Sequence, residues 1–299
     1  MIAELDLILP ALKQLLQSGW ESSELADYPA IRQFYRFATP QVSSSQLDEV
    51  IYADSEKDLP LAADLARKNK YQEGYWVCAR PVILQPDRDC LLLTRYVDDC
   101  SAQQLESLIE ILKSHFIDDF ESIRLADNFL LIKLSKSIRI KTHSYVDALG
   151  KNIDKFLPSG DQKQYLHGLL NEIQMLIFQH SMNFNALWFE FAGDQIEQVY
   201  SKGFSLVSDD GLYAVDHQIP FDGLAEFIDS TDLSGHVKAI YPGLMQHCIS
   251  LQSVNEQLTG LIKALKANRL QSIALNTLDG ESLRLVKNDL YKFWRYGRP

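Results

Sequence analysis

The sequence predicts an α/β protein with a mostly parallel sheet that is interrupted by a small α+β domain. Strand-like apolar runs at 3–9, 185–192 and 272–278 are separated by stretches with helical periodicity, a pattern typical of parallel sheets. Two strands, one helix and two strands follow each other within 71–140. The length of 299 residues, 46% of them hydrophobic, is enough for one large domain or two unequal ones.

The first part of the chain reads as one strand followed by helices. Alternating leucines indicate a strand at 3–9 that is buried on at least one face. Pro10 then suits the first turn of a helix, and Gly19 suits its end. Two further helices are predicted, from Asp27 to Pro40 and at 59–68.

The middle of the chain has the pattern of a separate α+β domain. Ser101 and Gln104 form a capping box before a helix with apolar residues at helical spacing. Hairpins flank this helix, with strands at 75–84 and 89–96 before it and at 122–126 and 129–135 after it. We therefore predict an insertion domain of order ββαββ at 71–140, within a discontinuous α/β domain formed by 1–70 and 141–299.

The alternation of helices and strands resumes after this segment. Gly193 ends the buried strand at 185–192, where an α/β sheet normally opens into a binding crevice. The other predicted elements are helices at 144–156, from Asp161 to His180, near 220–229 and at 243–267, and strands at 198–207 and 272–278.

Charge and composition exclude several classes of protein. Lys and Arg number 29 against 40 Asp and Glu, a net charge of -11, so the chain as a whole repels nucleic acid and anionic lipid. The four cysteines form no CxxC pair, and the first residues lack the basic and apolar regions of a signal peptide. We therefore expect a cytoplasmic protein that binds neither nucleic acid nor a membrane.

The common motifs of catalytic sites are absent. The sequence contains no HExxH, no GxSxG and no glycine-rich phosphate loop. Asp216-His217 is the one adjacent acid–imidazole pair, and a metal site would need further ligands near it. Ser43, Ser44 and Ser45 form a polar run in which a nucleophile could lie, although a solvated loop is the interpretation that we favour.

Residues 169–188 carry a resemblance to a known family. The segment Leu169–Leu176, followed by His180, Asn183 and Trp188, resembles the signature of the RpfE-type regulatory protein family, whose members are often labelled phosphoglycerate mutase-like. Further matching segments are Gly74-Tyr75-Trp76, Gly150–Asp154 with Leu157-Pro158, and Leu275–Gly280 before a Trp-Arg pair. That family in turn resembles the archaeal-type cofactor-independent phosphoglycerate mutases of the alkaline-phosphatase superfamily.

The resemblance implies an alkaline-phosphatase-like sandwich whose activity needs two divalent cations, held by Asp and His, and a Ser or Thr nucleophile. These residues do not carry over to this chain. The superfamily's first strand ends in a metal-binding Asp, whereas Leu9 is followed by Pro10-Ala11. Where an Asp-His pair is expected, the chain has Asp279-Gly280-Glu281. A two-metal site without several ligands loses most of its metal binding and its transition-state stabilisation.

We therefore expect a degenerate, non-catalytic protein that binds a small polar ligand or a protein partner without a cofactor. The ligand is expected in a crevice at the strand ends, near Asn171, Gln174, His180, Asn183 and Gly193. One alternative is an active Mn- or Zn-dependent phosphomutase or phosphatase with rearranged ligands, drawn from Asp216, His217, Asp279 and Glu281. Another is an interaction scaffold that uses the basic-aromatic tail at 291–296 or an apolar helix face.

Overall fold

A computed structural model of the chain shows two compact units. It describes residues 3–10, 12, 23–47, 50, 61–97, 100–136, 138, 140–194, 204–209, 216–231, 235–241 and 249–291. The first unit comprises Met1–Asp54 and Lys202–Pro299, and the second comprises Ser55–Ser201. The first unit is therefore discontinuous in sequence, and the second extends beyond the predicted segment 71–140 at both ends.

Seven helices are referred to below by number. They are α1 (Pro29–Phe37), α2 (Leu61–Lys68), α3 (Ala102–His115), α4 (Tyr145–Ala148), α5 (Lys163–Gln179), α6 (Leu224–Ser230) and α7 (Leu251–Lys266). None of the helices in the described part of the chain combines the length and the apolar character that a membrane span requires.

The first unit contains a seven-stranded sheet in which most strands are parallel. In spatial order, its strands are β11 (His217–Gln218), β10 (Phe204–Ser208), β12 (His236–Ile240), β1 (Ala3–Ile8), β13 (Leu270–Asn276), β14 (Glu281–Val286) and β2 (Thr39–Val42). The first five strands are parallel to one another, whereas β14 is antiparallel to both β13 and β2. This confirms the prediction of a mixed α/β fold with a largely parallel sheet.

The two faces of this sheet differ in polarity because the side chains of β1 alternate. Leu5 and Leu7 are fully buried in a core with α1, α6 and α7. On the opposite face, the Asp6 carboxylate lies 2.9 Å from His236 Nε2. The three helices therefore pack on one face, and charged groups occupy part of the other.

The edge strand β2 ends the sheet with a proline. The Ser43 N–H donates to the Gly280 carbonyl at 3.0 Å, so alternate residues of this segment direct their amides towards β14 and Pro40 faces the open edge. Proline has no N–H to offer a further strand. Pro40 therefore belongs to an edge strand, two residues beyond the C-cap of α1, Ala38.

The second unit contains an antiparallel sheet. Its strands are β3 (Tyr75–Asp87), β4 (Cys90–Tyr96), β5 (Phe120–Ala126), β6 (Phe129–Leu134) and β9 (Ala186–Asp194). The order strand, strand, helix, strand, strand occurs where it was predicted, with α3 between the hairpins. Helices α3 and α5 pack against one face of the sheet in a core separate from that of the first unit.

Strand β9 belongs to a different sheet from the one that the sequence predicted. It pairs antiparallel with β3 in the second unit, rather than with β1 and β13. Its residues from Ala186 to Phe191 are all buried, and a fully buried run of that kind is typical of a parallel strand buried on both faces. In β9, however, the buried run belongs to an antiparallel sheet.

Other elements differ from their predicted bounds. The predicted helix at 144–156 is interrupted by Gly150, whose φ of 73° ends regular helix, so that α4 is followed by a separate 3-10 turn at Ile153–Lys155. The first part of the helix predicted at 243–267 lies outside the described residues, and α7 begins at Leu251. Strands β2, β11, β12 and β14 were not predicted. Two short strands, β7 (Ile140–Lys141) and β8 (Ser159–Gly160), pair with each other.

Candidate functional site at the strand ends

The carboxyl ends of four parallel strands form one row at the edge of the seven-stranded sheet. In register across β10, β12, β1 and β13, this strand-end row consists of Ser208, Ile240, Ile8 and Asn276. Neighbouring strands lie about 4.8 Å apart, so the row spans about 14 Å. Ligands of open α/β sheets bind in the crevice outside such strand ends. The fold therefore points to this row as the candidate site.

Asn276 connects the row to the polar serine run that follows β2. Its side chain is almost fully buried, and its Nδ2 donates to Ser43 Oγ at 2.6 Å. Its Oδ1 accepts the Leu278 N–H at 2.9 Å. A hydroxyl that accepts from an amide keeps its own hydrogen for a second partner. Ser43 is half-buried and is thus positioned to donate to a polar group outside the strand ends.

The turn between β13 and β14 is held in a strained conformation beside Asn276. Leu278 has a φ of 57° and Gly280 a φ of 91°, and the left-handed region is unfavourable for a residue as large as leucine. Two hydrogen bonds stabilise this turn. The Leu278 N–H donates to Asn276 Oδ1, and the Thr277 hydroxyl donates to Asp279 Oδ1 at 2.8 Å. Asp279 thereby serves the turn as a hydrogen-bond acceptor.

The other end of the row is also occupied by hydroxyl groups. Ser208 Oγ donates to the Ile240 carbonyl at 2.7 Å, and the Tyr241 hydroxyl donates to the Ile219 carbonyl at 3.1 Å. Burial, followed by the negative charge of Asp209, raises the pKa of Tyr241 well above its usual value. The phenol therefore stays neutral at physiological pH and acts as a hydrogen-bond donor.

The alternative metal ligands lie in two separate places. Asp216 and His217 are at β11, where Asp216 Oδ2 accepts the Leu206 N–H at 2.8 Å. Asp279 and Glu281 are at the turn between β13 and β14. Four interstrand spacings separate β11 from β13, about 19 Å, which is too far for one ion. Across the described ranges, no three His, Cys, Asp or Glu side chains are grouped as metal ligands.

The five residues predicted to line the ligand crevice all belong to the second unit. Asn171 and Gln174 lie on the outer side of α5, and His180 is the exposed C-cap of that helix. Asn183 is exposed before β9, and its Oδ1 accepts weakly from Cys100 Sγ at 3.7 Å. Gly193 pairs with Trp76 near the far end of β9.

These five residues do not surround one crevice. Asn183 precedes β9, whereas Gly193 lies near the end of that strand, and the strand rises by about 3.3 Å per residue, so the two residues lie roughly 20 Å apart. Gly193 also ends an antiparallel strand, where no row of parallel strand ends exists. The Ser43–Asn276 contact was missed because it joins residues 233 positions apart in sequence. The serine run is the one sequence signal for this contact, and the sequence alone favours a solvated loop there.

Comparisons with known proteins give a similarity to a solved structure. No family model matches the chain, and no curated protein matches it either. Among solved structures, the chain is similar to a cofactor-independent phosphoglycerate mutase from Thermoplasma acidophilum, with 11% identity and a TM-score of 0.41. The similarity covers 96% of this chain and 90% of the mutase. It assigns no residue of this chain a role.

Proposed function

We propose that this protein is a non-catalytic, regulatory binding protein on a degenerate phosphoglycerate mutase-like scaffold, and that it takes a small polar ligand at the strand-end row. The observation that carries the proposal is the chemistry of that row. Its described side chains are the hydroxyl of Ser208, the amide of Asn276, which holds Ser43, and the apolar groups of Ile8 and Ile240.

Such groups are suited to hydrogen bonding rather than to phosphoryl transfer through metals. Zn²⁺ and Mn²⁺ centres that transfer phosphoryl groups are built from converging imidazoles and carboxylates, which hold the ions and so stabilise the charge on the transferred group. The Ser43 hydroxyl, which Asn276 holds and which keeps its own hydrogen, can donate directly to a neutral or anionic oxygen. The ligand of this row is therefore expected to be recognised through hydrogen bonds and without a cofactor.

The test combines metal analysis with a binding measurement on the full chain. Purified protein is analysed for bound metal and assayed for turnover of phosphoglycerate and a generic phosphate ester with added Mn²⁺ or Zn²⁺. Binding of 3-phosphoglycerate is followed by calorimetry and by the shift in Tm. We expect no turnover, and a shift in Tm that Ser43→Ala reduces.

The exposed Ser45 offers a matched control for the binding measurement. Ser45→Ala removes a hydroxyl from the same serine run without touching Asn276, so it should leave the shift in Tm unchanged. Stoichiometric metal together with turnover would instead support the rearranged enzyme. A shift that is absent, or equal in both variants, would count against a ligand at this row.

A further inference from the structure

The neighbours of Asn276 in the β13–β14 turn fix the orientation of its side-chain amide. A backbone N–H can only donate, so the atom of Asn276 that lies 2.9 Å from the Leu278 N–H must be the amide oxygen. The amide nitrogen is therefore the atom that faces Ser43 Oγ, 2.6 Å away. A reversed amide would place its nitrogen against the Leu278 N–H and lose that bond. Because Asn276 is only 5% exposed, these two partners decide the orientation of the amide.

Ser43 is held at two points by the same turn. Its backbone N–H donates to the Gly280 carbonyl at 3.0 Å. Its side-chain Oγ accepts from Nδ2 of Asn276. The main chain and the side chain of Ser43 are thus both fixed by the segment from Asn276 to Gly280, and the position of the hydroxyl follows from the geometry of this turn.

The hydrogen of the Ser43 hydroxyl is directed away from Asn276. A serine hydroxyl has one hydrogen and two lone pairs, and a hydrogen directed at Nδ2 would meet the one that the amide donates. Within the described ranges, Asn276 is the hydrogen-bond partner recorded for Ser43 Oγ, and no acceptor takes the serine hydrogen. Ser43 is half-buried rather than enclosed. The hydrogen is therefore available to an acceptor that the protein itself does not supply.

The residue that fixes the Asn276 amide is itself strained. Leu278, whose N–H binds Asn276 Oδ1, has a φ of 57°, where a glycine would be relaxed and a leucine is not. Strain of this kind persists only where the surrounding structure imposes it, and it clusters at binding and catalytic sites. The strain at Leu278 is consistent with a turn whose conformation serves the orientation of Asn276.

We propose that Asn276 determines the specificity of the strand-end row, and that it restricts the ligand to a compound that presents an acceptor oxygen, such as that of a carboxylate, to Ser43. This inference rests on the proposed function, because it concerns the ligand of the same row. An ammonium group would bring a donor to a donor and would lose its hydration without gaining a bond. Because Asn276 is buried, it acts through Ser43, as a positioning residue.

Asn276→Asp reverses the polarity of Ser43 with little change of shape. One oxygen of the introduced carboxylate can still accept the Leu278 N–H, so the turn keeps this bond. The other oxygen faces Ser43 Oγ, and the hydrogen between these two oxygens is then that of the serine. The hydroxyl therefore donates inwards, and only its lone pairs remain for a ligand.

A double-mutant cycle on the full chain tests this inference, with 3-phosphoglycerate as the probe and calorimetry as the measurement. Ser43→Ala should weaken binding about tenfold when Asn276 is present. In the Asn276→Asp background, binding should already be weak, and Ser43→Ala should change it by no more than about twofold. The introduced charge repels the probe whether or not the Ser43 hydroxyl is present, so repulsion alone cannot remove the effect of Ser43→Ala. Ser45→Ala, as the control, should change binding in neither background.

A measurement without ligand tests the orientation of the amide, and it decides the question if Asn276→Asp does not fold. In NMR spectra of the free chain, one Nδ2 proton of Asn276 should lie downfield, and Ser43→Ala should move it upfield. An unchanged resonance would overturn the proposal, because the amide would then not donate to Ser43. Equal weakening by Ser43→Ala in both backgrounds would also overturn it while leaving the proposed function intact. Failure of the wild-type chain to bind the probe would contradict the proposed function and this inference together.

Discussion

At the scale of single residues, Asn185 shows how one side chain takes the place of a strand. Its Oδ1 accepts the Leu84 N–H at 2.8 Å, and its Nδ2 donates to the Leu84 carbonyl at 2.7 Å. These are the two bonds that a neighbouring strand would make, one residue before β9 begins. Asn185 therefore extends the pairing of β3 beyond the end of its partner.

Asn185→Ala should destabilise the protein by about 1–3 kcal/mol, because both partly buried backbone groups of Leu84 lose their partner. Asn185→Asp should also destabilise the protein, because it puts a carboxylate oxygen in place of the amide N–H that donates to the Leu84 carbonyl. Urea unfolding gives the free energies. Asn183→Ala is the control, as Asn183 is exposed and makes only a weak bond to a thiol. Equal losses for Asn183→Ala and Asn185→Ala would refute this role.

Single residues were predicted best where the signal is local. The capping box of Ser101 and Gln104 is present, with both backbone bonds at 3.2 Å. Asp127, predicted in a turn, has a φ of 49°. The partners of Asn276 and Asn185, however, lie 233 and 101 positions away, and no pattern within a short window encodes such contacts. The strand-end site could therefore not be assembled from sequence.

At the scale of elements, a buried ion pair joins β3 and β9. Arg80 and Glu190 are both fully buried and form a salt bridge. The guanidinium lies 5.0–5.2 Å from the ring centres of Tyr96, Phe129 and Tyr145, and Glu190 Oε2 accepts the Tyr145 N–H at 3.0 Å. The pair therefore connects two strands with the first turn of α4.

The two charges should show strong energetic coupling. Arg80→Met or Glu190→Met alone should cost about 3–5 kcal/mol, because each leaves an uncompensated charge in a buried site. The double substitution should cost clearly less than the sum, since it removes both charges. A double-mutant cycle in urea measures the coupling. Additive losses would show that the pair contributes through packing alone.

Elements were predicted well where helical periodicity and capping residues agree. They were predicted poorly where a fully buried strand has no alternating pattern from which its partner strand could be inferred. Helix α3 has a clear amphipathic pattern and a capping box, and turn residues mark the hairpins that flank it. Strand β9 was assigned to the wrong sheet because burial on both faces is common to parallel strands and to covered antiparallel ones. Strand β12 was missed because it is only five residues long and includes Lys238, which is buried and donates to the Val50 carbonyl at 2.9 Å.

At the scale of the whole molecule, the described residues form hydrophobic cores in both units. One lies entirely within Met1–Asp54 and Lys202–Pro299, where β1 is central and the helices α1, α6 and α7 cover it. The other lies entirely within Ser55–Ser201, between the antiparallel sheet and the helices α3 and α5. Because the residues of each of these cores come from one unit only, each unit has the separate core that is typical of a domain.

The second unit should therefore fold when it is produced alone. A fragment of residues 55–201 is expected to unfold cooperatively in urea and to keep dispersed amide resonances. The matched control is residues 71–140, the insertion that the sequence predicted. It lacks α5 and β9, and with them buried core residues such as Ile173, Ile177 and Phe189, so one edge of β3 and one face of the sheet would be open to water. We expect this shorter fragment to be unfolded or aggregated. A cooperative transition for 71–140 with none for 55–201 would place the domain boundary where the sequence alone suggested it, and would show that β9 and α5 are not required for the second core.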